Sequence, residues 1–334
     1  MSRLLDAKRN AEEKDIELSL RPSKLSEYIG QTEMKSNLKV YLTAAKKRND
    51  ALDHVLLYGA PGLGKTTLAY VIAHELGGEM KTINGPSLEK PGDLAAVLSE
   101  LQEGDVLFID EIHRLPRVVE EVLYGAMEDF NLSIIINQNG SSKAINLPLP
   151  PFTLVGATTR AGGLSAPLRD RFGISLKINF YTAEELEQIV KRTSRVLKMP
   201  IEDDAAKLIA ERSRGTPRIA NRIYKRVRDF ATVEEKKTID LDLAKSSLDK
   251  LKIDELGLDD VDIRYLTAII DRFKGGPVGL ETISSAIGEE ETNLEDVYEP
   301  YLLMIGMIDK TPRGRVATDK AYKHLKKTHQ GTLF

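Results

Sequence analysis

Residues 59–66, Gly-Ala-Pro-Gly-Leu-Gly-Lys-Thr, have the spacing G-x-x-x-x-G-K-[ST], with an apolar run before them and a helical pattern after them. Glycines at these places let backbone amides turn towards one point, and the start of the next helix adds a dipole that favours an anion. Such a loop cradles nucleotide phosphates. Gly62, Leu63, Gly64, Lys65, Thr66 and Thr67 are the expected contacts, with Lys65 on the β- and γ-phosphates and the Thr66 hydroxyl on a magnesium ion. Further on, "LFIDEIHRL" ends a second apolar run in Asp110 and Glu111. A carboxylate there can hold the water shell of magnesium, and its neighbour can polarise an attacking water. On a strand neighbouring the phosphate loop, the pair implies hydrolysis of ATP or GTP.

A third apolar run, "FTLVGAT", ends in Thr158, which either orients the γ-phosphate or lytic water, or simply caps the strand. "SAPLRDRFG" then carries Arg169 and Arg171. An arginine supplied in trans accelerates phosphoryl transfer by orders of magnitude, although an isolated arginine is also an ordinary surface charge.

These residues need elements to hold them. The runs 54–59, 105–110 and 152–158 are short and almost wholly apolar, as strands buried on both faces of a parallel sheet are. Helical spacing lies between them, so a doubly wound α/β domain is expected over 1–180. Near Phe180 the pattern changes. Thr182 and Glu185 have capping-box spacing before an amphipathic helix, and two or three more helices without a strand signal predict a small all-α domain over 181–253. From 254 to 334, two short helices, a third at about 292–305 and a β-hairpin match a winged helix.

Two segments stand outside this rhythm. "LSIIINQNGSSKAINLPL" (132–149) reads as a hairpin turning at Asn139-Gly140, with Ile145, Leu147 and Leu149 alternating along one apolar face. It either packs on its own domain or serves a partner. Near the C-terminus, "KTPRGRVAT" sets Lys310, Arg313 and Arg315 around a turn with no acid, while residues 289–299 hold six acids and no Lys or Arg. An acidic third helix repels phosphate, so the basic turn is the expected DNA contact, touching backbone without reading bases. The other reading is a solvated hairpin. Arg218, Arg222 and Arg226, at helical spacing, read first as a solvated face.

Composition narrows the class. The chain has 334 residues, a formal charge of −3 and no cysteine, which excludes disulfides, thiolate zinc sites and thiol catalysis. No apolar run is long enough for a membrane span, and the charged N-terminus lacks a secretory apolar block, so a cytoplasmic protein is expected.

In order, the phosphate loop, "FIDEIHRL", "GATTR", "PLRDRFGI" and "RGTPRIANR" resemble an AAA+ ATPase. With "LRPSKLSEYIGQ", "KPGDLAA" and "GGPVGL…EPYLL…TPRGRVAT", the chain resembles the RuvB family of Holliday-junction branch-migration motors over residues 18 to 326. The resemblance implies that Leu20, Arg21, Tyr28 and Ile29 border the adenine, that Thr158 is sensor 1, and that Arg171 is a finger reaching a neighbouring subunit's ATP. It places Glu128, Asp129 and Phe130 at that intersubunit site, and Tyr181 and the sensor 2 residue Arg218 over the nucleotide. It further implies ATP with magnesium, a hexameric ring, four-way junction DNA with duplex arms, a RuvA-type partner on the 132–149 hairpin and a RuvC-type resolvase. Ala60 and Lys310 stand where the family usually has proline and arginine. Two other readings share the ATPase parts: a clamp-loader subunit and an ATP-switched DNA-binding scaffold.

Overall fold

A computed structural model describes residues 19–138 and 141–328. The three apolar runs form β1 (Val55–Tyr58), β3 (Val106–Asp110) and β6 (Thr153–Thr158), and all but the last residues of β1 and β3 are buried. Two more strands complete the sheet, β2 (Met80–Asn84) and β7 (Ile174–Lys177), in the all-parallel order β2-β3-β6-β1-β7. Both lie at the edges. Strand β7 alternates buried and exposed residues and β2 is half-exposed, so neither makes the continuous apolar run that marks a central strand.

The order corrects one expectation. Strand β6 lies between β1 and β3, so the carboxylates at 110 and 111 are not on a strand neighbouring the phosphate loop. Sequence neighbours need not be sheet neighbours, because each crossover is free to skip a position.

The chain divides into two units: the described residues up to 59 with 63–179, and 60–62 with those from 180 on. In the first, helices α1 (Thr32–Arg48), α2 (Lys65–Leu76), α3 (Pro91–Leu98), α4 (Arg117–Glu128) and α5 (Ala166–Asp170) accompany the sheet. Leu94, Leu98, Val119, Leu123 and Ala126 of α3 and α4 pack with Leu107, Ile109 and Leu154 of the strands in one core. The expected hairpin forms as β4 (Asn131–Gln138) paired antiparallel with β5 (Ser141–Pro148); its Asn139-Gly140 turn lies outside the described residues, as does the Ile145 side chain. Leu132 and Leu149 at its base are buried in that core, whereas Leu147 is exposed.

In the second unit, α6 (Ala183–Val196) opens with the anticipated capping box: the Thr182 hydroxyl accepts from the Glu185 N–H at 3.2 Å, and the Glu185 carboxylate from the Thr182 N–H at 2.9 Å. Helices α7 (Asp203–Glu211), α8 (Pro217–Val233) and α9 (Leu241–Lys250) follow. Then come α10 (Asp260–Thr267), α11 (Leu280–Ile287) and α12, which runs through Glu291–Asn293, a π turn at Leu294–Tyr298 and Glu299–Met304. A wing of β8 (Ile308–Thr311) and β9 (Gly314–Ala317) and a closing helix α13 (Asp319–His324) complete the winged helix around Tyr265, Ile283, Leu294 and Leu302. No helix among the described residues is long and apolar enough to cross a membrane.

Candidate active site

Gly64 caps α2 at φ 95°, a left-handed conformation that a residue with a Cβ resists. The helix has no side-chain cap and no acid in its first turn, so nothing there offsets the positive end of its dipole, which favours an anion. Lys65 is buried, with Nζ donating to the Gly59 carbonyl at 2.8 Å. Burial lowers its pKa, and the opposing pull of Asp110 and Glu111 places both carboxylates within electrostatic reach of the ammonium. A β6 strand in between therefore does not separate these groups chemically. Thr66 and Asp110 supply a hydroxyl and a carboxylate. That small oxygen set suits magnesium, which keeps several waters and takes oxygens from the substrate phosphates.

Glu111 sits at φ 52°, and a Cβ on Gly85 would lie 2.6 Å from its carbonyl oxygen, so a glycine is required there. The Glu111 carboxylate is 3.5 Å from Nε2 of His113, whose Nδ1 is 2.9 Å from the Thr158 hydroxyl. His113 did not emerge from the sequence, where one histidine in "DEIH" carries no spacing signal. In the fold it joins the end of β3 to the end of β6.

Of the two readings of Thr158, the structure favours the cap at the end of β6. Thr158 is 0% exposed, and its hydroxyl also accepts the Arg160 N–H at 2.9 Å, so both its directions are engaged inside the protein. The next residue differs: the Thr159 hydroxyl is buried and has no hydrogen-bond partner among the described residues. An orphan buried hydroxyl at the end of β6 is the better candidate for a phosphate or lytic water.

Arg171 follows α5. One guanidinium nitrogen donates to the Pro167 carbonyl at 2.7 Å, another to Glu128 at 3.1 Å, and the group lies 4.3 Å over the Tyr124 ring. Its Nε is buried and unpartnered among the described residues. Glu128 and Arg171, assigned to one site from the resemblance, thus meet. Asp129 is exposed, whereas Phe130 packs edge-on to Phe152 at 5.8 Å. Arg169 is exposed. Tyr28 is buried, and Leu20, Arg21 and Ile29 are half-buried. A cavity of about 340 Å³ beside α1 is lined by Leu25, Lys35, Lys39 and Glu75, among others, and by none of the expected nucleotide contacts.

In the second unit, Tyr181 is buried with its N–H donating to Gly215 at 2.9 Å, and Arg218 is exposed on the first turn of α8. Arg222 and Arg226 are also exposed, opposite the buried Ile223, Tyr224 and Val227.

The wing cations separate into three cases. Arg315 is buried, holding Glu299 with two bonds of 2.7 and 3.1 Å, and Tyr265 donates to the same carboxylate at 2.7 Å. Lys310 pairs with Glu295 at 3.0 Å and stays half-exposed. Arg313, exposed at the turn, has no side-chain partner among the described residues. The acids of α12 thus pair with two of the three cations expected at DNA, Lys310 and Arg315. Arg315 is a structural ion pair.

Comparison with known proteins yields three consecutive matches: the Holliday junction DNA helicase RuvB P-loop domain over residues 20–178, the RuvB AAA lid domain over 181–254, and the RuvB C-terminal winged-helix domain over 255–326. The solved Thermotoga maritima RuvB Holliday junction branch migration motor is 52% identical, with a TM-score of 0.85 over 93% of this chain and 99% of that one. A mutant form of it aligns at 52% identity and a TM-score of 0.86, covering 92% and 99%. The Aeropyrum pernix ORC2 protein, 17% identical with a TM-score of 0.53 over 87% and 91%, shares the fold alone.

Proposed function

The chain belongs to the RuvB family of Holliday junction DNA helicases, and from that premise we propose that it hydrolyses ATP to drive branch migration of four-way DNA junctions. The observation that carries the chemistry is the buried Lys65 ammonium at the start of α2, within electrostatic reach of Asp110 and Glu111. Lys65 and the amides of Gly62 to Thr67 hold the phosphates. Thr66 and Asp110 hold magnesium, which neutralises phosphate charge when bound.

Glu111 takes the proton of the attacking water, with His113 holding its carboxylate. The Thr159 hydroxyl is proposed as the γ-phosphate contact in place of Thr158. Arg171 is proposed to complete the nucleotide site of a neighbouring subunit in a hexameric ring, beside Glu128, Asp129 and Phe130. Leu20, Arg21, Tyr28 and Ile29 are proposed at the adenine, and Tyr181 and Arg218 as further nucleotide contacts. The three parts are proposed as 1–180, 181–253 and 254–334.

On the DNA side, Arg313 is proposed as the leading phosphate contact with Lys310 beside it. Such contacts are indifferent to sequence, as a translocating motor requires. The exposed Leu147 on the hairpin supports docking of a RuvA-type junction-binding protein, with a RuvC-type resolvase as a further partner. Glu111→Gln tests the reading. It should keep nucleotide binding and lose both ATP hydrolysis and migration of a synthetic four-way junction. Migration that persists in this variant would show an ATP-switched scaffold.

A further inference from the structure

Glu120, Tyr124 and Glu128 recur every four residues on α4, so they share one helix face. Each holds a different part of the segment that carries Arg171. Glu120 is buried, and its carboxylate accepts from the Ser165 hydroxyl at 2.6 Å and the Tyr124 hydroxyl at 3.1 Å. Ser165 in turn caps α5, accepting the Leu168 N–H at 3.3 Å. Glu120 therefore fixes both the start of the helix that delivers Arg171 and the plane of the Tyr124 ring. That ring lies 4.3 Å beneath the guanidinium, and Glu128 takes one of its N–H groups at 3.1 Å.

The three contacts differ in kind. A ring beneath a guanidinium holds its face and leaves the N–H groups on its edge free to donate. Glu128 occupies such an edge, and its side chain is 54% exposed, so the pair is weak and exchangeable. A phosphate offers the same edge more charge and more oxygens.

We propose that the Glu120–Tyr124–Glu128 stripe is a cradle that positions Arg171 for a neighbouring subunit's nucleotide. Tyr124 is its positioning residue, and Glu128 is a stand-in that the phosphate displaces. The proposal rests on the reading of Arg171 as a finger acting in trans. Without Tyr124 the guanidinium keeps its charge but loses the surface that orients it before the neighbour's phosphate arrives.

Mixed rings test this. Arg171→Ala subunits keep a nucleotide site but give no finger, and Glu111→Gln subunits give a finger but do not hydrolyse. A mixture regains ATP hydrolysis only where the second kind serves the first. Adding Tyr124→Leu to the Glu111→Gln subunit should lower the regained kcat about tenfold while KM for ATP stays near its parent value. Tyr124→Phe in the same place, which keeps the ring, should restore most of that rate. If Tyr124→Leu costs as much in the Arg171→Ala subunit, which has no finger to position, the residue serves folding or assembly and the cradle is wrong. An unchanged rate with Tyr124→Leu in the finger-giving subunit overturns the cradle and leaves the finger standing. A parent mixture that regains nothing overturns the finger, and the cradle with it.

Discussion

Two adjacent threonines illustrate how the site is built at the residue scale. The hydroxyl of Thr158 is engaged by His113 and the Arg160 amide, whereas that of Thr159 is buried without a partner. The two hydroxyls should answer differently to removal. Thr159→Val deletes an orphan polar atom, so stability should hold or rise, while loss of a donor to developing charge should cost roughly 10²–10³ in kcat. Thr158→Val removes a fully buried hydroxyl that His113 and the Arg160 amide both use, and should cost about 1 kcal/mol of stability. Thermal melts beside steady-state ATP hydrolysis separate them. A full catalytic loss in Thr158→Val at undiminished stability would reverse the assignment.

The element proposed to contact DNA is the wing, and α12 supplies the counter-ions of two of its cations. From sequence, the six acids of 289–299 looked like a surface that keeps DNA away; in the fold, Glu295 and Glu299 are counter-ions for Lys310 and Arg315. Arg315→Ala leaves the Glu299 carboxylate, 1% exposed, with Lys310 at 4.0 Å as its remaining cation. The expected cost is about 3–5 kcal/mol of winged-helix stability, visible as an earlier melting transition. Arg313→Ala breaks no side-chain hydrogen bond or ion pair among the described residues. It should leave melting alone, weaken duplex binding, and make the slope of log K against log salt shallower by about one. An unaltered salt slope would remove the wing from the DNA interface.

At the scale of the whole molecule, the second unit joins its α-helical bundle to its winged helix through a buried ion pair. Arg214, 4% exposed, bonds to the fully buried Asp262 at 2.9 Å and lies 5.1 Å from the centre of the Tyr301 ring. Burial, opposed by the Arg214 charge, raises the Asp262 carboxyl from 3.8 to about 7. Between about pH 4 and 7 the folded chain then holds a proton that the unfolded chain has released. The stability this proton contributes is complete below the unfolded value and fades as pH climbs through 7. The melting temperature should fall from pH 5 to pH 8, and Asp262→Asn should flatten that fall. An identical slope in the variant would exclude this carboxyl as its source.

The sequence by itself determined the phosphate loop, the carboxylates at 110 and 111, the capping box at Thr182, the hairpin arms and the helix-helix-helix-wing order. Each is a local pattern, set by a few neighbouring residues whose spacing dictates backbone shape or period. Only the tertiary structure decided the rest. It put β6 between β1 and β3, left Thr159 and not Thr158 with a free hydroxyl, and set Tyr124 beneath Arg171. It also hid Arg315 against Glu299 while Arg313 stayed in solvent. These are pairings between groups distant in the chain. A sequence shows how many charges and hydroxyls are present, but which are already satisfied depends on what the fold brings within 3 Å of them.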